Sequence, residues 1–78
     1  MSDTTSGPAA GPTHAWVITL QKPLAHGLAT VTVDGTYSAQ PGDTRPIAYR
    51  KVRTWVDEQD PDMAGANVLF FSLEPYRL

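Results

Sequence analysis

One segment of this chain, 43–58 (DTRPIAYRKVRTWVDE), carries the period of an amphipathic helix, while the apolar runs on either side carry the period of strands. A lone helix has a single apolar stripe to bury, so the strands must supply the surface that buries it. At about 100° per residue, Ala48, Tyr49, Val52, Trp55 and Val56 fall on one side of the helix, and Arg50, Arg53, Thr54 and Asp57 on the other. Asp43 or Thr44 offers an N-cap oxygen, and Pro46 falls in the first turn, where its missing N–H leaves no internal bond unmade. Asp60-Pro61 places the helix end near Gln59, because the residue before a proline is turned away from the α region.

In HAWVITLQ, Trp16, Ile18 and Leu20 alternate with Ala15, Val17 and Thr19, which reads as a first strand. KPLAHG then fits a hairpin connection somewhat longer than the two-residue minimum. A second strand follows in LATVTVDGTYS, with Ala29, Val31 and Val33 on one face and Thr30, Thr32 and Asp34 on the other. Asp34-Gly35 is also a type I′ turn signal, but the run after it is short and meets Pro41, which favours a bulge or a strand end over a further hairpin. After the helix, NVLFFSLEP reads as the last strand, with Leu69, Phe71 and Leu73 on the covered face and Val68, Phe70 and Ser72 on the other.

The expected fold is therefore α+β, ββαβ in order: one α-helix packed on a three-stranded, mainly antiparallel sheet ordered 2-1-3. Residues 1–13, rich in Ser, Thr, Gly, Pro and Ala, read as a disordered arm, and 14–78 as a single small domain. The ββα opening resembles the start of β-grasp (ubiquitin-like) folds, a likeness of element order that implies no activity.

Size and composition narrow the function. A chain of 78 residues buries only roughly 60% of its unfolded surface, and small domains usually add a staple. Cysteine is absent, which removes disulfides and thiolate metal sites, and His14 and His26 are too few for an imidazole cage. No metal or other cofactor is expected, and self-association is the remaining route to more burial. The N-terminus lacks a basic n-region and an apolar core, and no run approaches the roughly 20 apolar residues of a membrane span, so a cytoplasmic protein with no membrane partner is expected.

One helix covers one sheet face, so the sequence points to the opposite face, or an unpaired edge, as the place of function. Val17, Val68 and Phe70, with Thr30 and Thr32 at the margin, are the expected partner-binding residues of a protein–protein interaction module that is homodimeric or partner-bound. An alternative, nucleic-acid binding through Arg50, Lys51 and Arg53, is weakened by their spread over about 160° of the helix and by the net charge of −2. The acids Asp57, Glu58, Asp60 and Asp62 depart from the calcium-loop pattern, since Pro61 interrupts them and Val68 stands where the closing glutamate belongs. A small enzyme with an unrecognised site is the second alternative; no catalytic residue is expected, because Ser38, Ser72, His14 and His26 lie in no catalytic setting.

Overall fold

The structure, a computed structural model, describes residues 11–78. Strand β1 (His14–Leu24), strand β2 (Gly27–Tyr37), helix α1 (Arg45–Gln59), a short 3₁₀ turn (Pro61–Met63) and strand β3 (Asn67–Pro75) follow in that order. The sheet is ordered β2-β1-β3, and β1 is antiparallel to both neighbours. The two edge strands therefore run parallel to each other, and the chain passes between them through α1 on one sheet face. Of the arm expected over residues 1–13, residues 1–10 lie outside the described residues. Thr13 is tied into the sheet: its N–H donates to the Tyr37 carbonyl at 3.0 Å, and its carbonyl accepts from the Tyr76 N–H at 2.9 Å.

Alternation in β1 aims Trp16, Ile18 and Leu20 at the helix, and Ile18 and Leu20 are 0% exposed. Against them α1 sets Ala48, Val52 and Val56, spaced one turn apart and all buried. Met63, Ala66 and Leu73 complete the core. Thr44 is the N-cap, its hydroxyl accepting from the Ile47 N–H at 3.4 Å, and the Asp60 N–H closes the other end on the Val56 carbonyl at 2.8 Å.

Four local expectations are corrected. The β1–β2 connection is shorter than the sequence indicated: Leu24 pairs with Gly27, leaving only Ala25-His26 in the loop. Pro23 is accommodated inside β1 because β3 pairs only as far as Gln21, so one side of β1 is free there. Asp34-Gly35 forms neither bulge nor turn, and β2 runs straight through it opposite Val17 and Trp16. Gly35 is there for the Trp16 ring, which lies so close that a Cβ would sit 2.5 Å from Cζ2.

The bulge is in β3 instead. Thr19 pairs with Phe70 and Leu20 with Val68, which makes Leu69 the extra residue and reverses the faces before it. Val68, expected on the open face, packs against the core, whereas Leu69, expected beneath the helix, is 54% exposed. Trp55, also expected to face inward, is 46% exposed and meets Trp16 edge-to-face at 5.8 Å between ring centroids. Val52 and Val56, buried in the core with Trp16, Ile18 and Leu20, fill the contact with the sheet, which leaves Trp55 at the flank.

Candidate interaction edge

A strand turns the backbone groups of alternate residues to opposite sides, so each edge residue either bonds its neighbour or faces out. The two-residue loop makes Leu24 and Gly27 a hydrogen-bonded pair. With β1 and β2 in unbroken register, the odd-numbered residues of β2 then bond β1, while Leu28, Thr30, Thr32, Asp34 and Thr36 turn N–H and C=O outward. Pro23 agrees with this assignment, since its missing N–H falls on the side of β1 that β3 leaves free. Trp16 agrees as well: its ring crosses Gly35, and its Nε1–H donates at 3.2 Å to the Thr36 carbonyl on the outer side.

The two edges of the sheet differ. On β3 the same alternation turns Phe71, Leu73 and Pro75 outward. The Leu73 carbonyl is taken by the Arg45 guanidinium at 3.1 Å, Pro75 has no N–H to offer, and the bulge at Leu69 breaks the ladder. Strand β2 has none of these devices over Leu28–Asp34. It contains no Lys, Arg or Pro, and among the described residues no protein group reaches the outward backbone of Thr30, Thr32 or Asp34. The β3 edge is interrupted, while the β2 edge over Leu28–Asp34 is regular and unprotected.

The open sheet face carries four of the five residues expected there: Val17, Thr30, Thr32 and Phe70, without Val68. It is more polar than its β1 residues implied. Thr19 and Thr32 hydroxyls meet at 3.0 Å, the Gln21 amide donates to the Thr30 hydroxyl at 3.3 Å, and Val17 lies between Asp34 and Ser72. Phe70, 54% exposed, stands beside the bulged Leu69 as its main apolar feature.

The helix cations are largely committed. Lys51 pairs with Asp43 at 3.4 Å, and Arg53 reaches both the Asp57 carboxylate and the Ala66 carbonyl at 3.3 Å. Arg50 is exposed. Between α1 and β2 lies a groove of about 440 Å³ lined by Trp16, Gly35, Thr36, Tyr37, Lys51 and Trp55. His14 and His26 stand at opposite ends of the β1–β2 hairpin, so no site can use both. Among the described residues no three His, Asp or Glu side chains gather to hold a metal ion, and no helix is long and apolar enough to cross a membrane.

At the entrance to α1, Asp43 accepts from the Gln40 N–H at 2.9 Å, from the Tyr37 hydroxyl and from Lys51. The Gln40 N–H first, and the Tyr37 hydroxyl next, hold its carboxyl below the ordinary carboxylate range. The same knot raises the Tyr37 hydroxyl, through its bond to Asp43 and then through burial, and it raises Lys51 through its bond to Asp43. A depressed carboxyl stabilises the fold above the ordinary carboxylate range and loses that effect as pH falls through its folded value; raised Tyr and Lys groups stabilise below their ordinary ranges and lose the effect as pH rises through their folded values. The melting temperature should thus be flat near neutrality and fall in acid. Asp43→Asn should lower the neutral plateau and shallow the acid limb; an acid limb as steep as the parent's contradicts this account.

No family model, no curated protein and no solved structure matches the chain. The likeness to β-grasp openings therefore rests on element order alone.

Proposed function

We propose that this chain is a protein–protein interaction module that acts by accepting a β-strand along the free edge of β2. The observation that carries this reading is the asymmetry of the sheet. The β3 edge is interrupted by Arg45, Pro75 and the Leu69 bulge, while β2 offers a long, regular edge with outward backbone groups at Thr30, Thr32 and Asp34. Open edges of this kind template strand addition, and folded proteins ordinarily protect them. The small domain gains burial from the same contact. Main-chain bonds give such an interface its affinity, and the side chains flanking the edge set its specificity: Thr30 and Thr32 on one face, Val31 and Val33 on the other.

Thr32→Pro is the variant that separates the edge from the face. It removes an outward N–H and, by the alternation above, no backbone bond to β1, although the Thr19–Thr32 hydroxyl contact goes with the side chain, so Thr32→Val, which loses that contact and keeps the N–H, is its control. Sedimentation over a dilution series, together with capture of partners from the native host, should show association abolished by Thr32→Pro and retained by Phe70→Glu, which alters only the open face. Association that survives Thr32→Pro and is lost in Phe70→Glu moves the site to the face and overturns the reading.

A further inference from the structure

We infer that the strand accepted by β2 is β2 of a second copy, run antiparallel across a two-fold axis at Thr32 so that the two sheets become one continuous sheet. This inference rests on the edge reading and names its occupant. Thr32 is the middle residue of Gly27–Tyr37, so an axis there overlaps the whole strand. It is also an outward-facing residue, as a symmetric hydrogen-bonded pair requires: each Thr32 N–H would donate to the Thr32 carbonyl of the other copy. The pairs beside it are Thr30 with Asp34 of the second copy, and Leu28 with Thr36.

Charge disfavours an axis at Asp34 and is accommodated by one at Thr32. Asp34 is the only charged residue of β2. An axis at Asp34 would set the two carboxylates opposite each other, which disfavours pairing. An axis at Thr32 separates them by four residues, about 14 Å along the strand and beyond a Debye length of about 8 Å at physiological salt. It also sets each carboxylate opposite a Thr30 hydroxyl. That hydroxyl accepts from the Gln21 amide at 3.3 Å, so its own hydrogen is free to donate to Asp34.

Shape agrees on the helix side. Val31 falls opposite Val33 of the second copy, both half-buried in the single chain. Gly35 and Tyr37, which line the groove holding the Trp16 and Trp55 rings, fall opposite Ala29 and Gly27, two of the three smallest residues of the strand. The largest groups at the edge thus meet the least bulk.

Single cysteines test the register directly, because the chain has none of its own. In an antiparallel hydrogen-bonded pair the Cα atoms are about 5.5 Å apart, within disulfide range, whereas identical residues two positions from the axis are about 14 Å apart. Under oxidised glutathione, Thr32→Cys should form covalent dimers at least about tenfold faster than Thr30→Cys or Asp34→Cys alone, the excess reflecting that difference in reach. A mixture of the last two should cross-link to each other. Equal rates for all three, or a fast Thr30→Cys homodimer, overturns the register. A monomer at every concentration, with no Thr32→Cys dimer, overturns the second copy; the edge reading itself fails only if Thr32→Pro also leaves partner capture intact. Thermal melts of the reduced variants, matched to the parent, ensure that a negative result is not a loss of folding.

Discussion

Trp16→Ala is expected to destabilise the domain by about 3–5 kcal/mol, enough to leave much of a small domain unfolded, while Trp55→Ala costs about 1 kcal/mol. Both tryptophans lie on the apolar side of their elements by periodicity, and the structure separates them. Trp16 is 4% exposed, packs over Gly35 and satisfies its indole N–H on the Thr36 carbonyl. Its removal leaves a cavity under α1 and frees the carbonyl. Trp55 is 46% exposed and contributes chiefly an edge-to-face contact with Trp16. Urea unfolding of the two variants decides the matter. Equal losses would mean that the helix is seated with Trp55 inward, contrary to the core of Val52 and Val56.

Gly35→Ala is expected to cost about 1–3 kcal/mol, although alanine is normally no worse than glycine in a strand. The backbone at Gly35 is not in the left-handed region, so the penalty is purely steric. An added Cβ would stand 2.5 Å from Trp16 Cζ2 and 2.9 Å from Cε2. A ring buried under α1 can give way only by losing its contacts. The signature is non-additivity: in a Trp16→Leu background, Gly35→Ala should be close to neutral, because the colliding atoms are gone. Chemical denaturation of the two single variants and the double variant measures this coupling, and additive losses would contradict it.

These residues also show where the sequence was legible. The inward run Trp16, Ile18 and Leu20 and the caps at Thr44 and Asp60 are local features, and the strand order follows from one helix having to cross one sheet. Simple alternation places Val68 and Leu69 on the wrong faces because NVLFF is apolar at every position after the asparagine, so nothing in it marks the extra residue that shifts the alternation. Asp34-Gly35 looks like a turn by its two residues alone; what it accommodates is Trp16, a residue distant in sequence. The apolar stripe of the helix is wider than the set of residues it buries, Ala48, Val52 and Val56, and Trp55 lies on its exposed margin.

The candidate edge was legible only in part. Threonines in β2 and Pro75 in β3 are visible in the chain, yet their meaning depends on which strands lie outermost and on which residues turn their backbone outward. Arg45 is the clearest case. In sequence it is one more helix cation, whereas in the fold it takes the Leu73 carbonyl on β3 and so leaves that edge with fewer groups to offer than β2.

The central claim is tested most directly by amide hydrogen exchange across β2, followed from dilute to concentrated protein. Thr30, Thr32 and Asp34 should exchange rapidly in the dilute protein and become protected as it associates, while Val31 and Val33, bonded to β1, stay protected throughout. Association that leaves Thr30, Thr32 and Asp34 unprotected, or that protects β3 in their place, would contradict it.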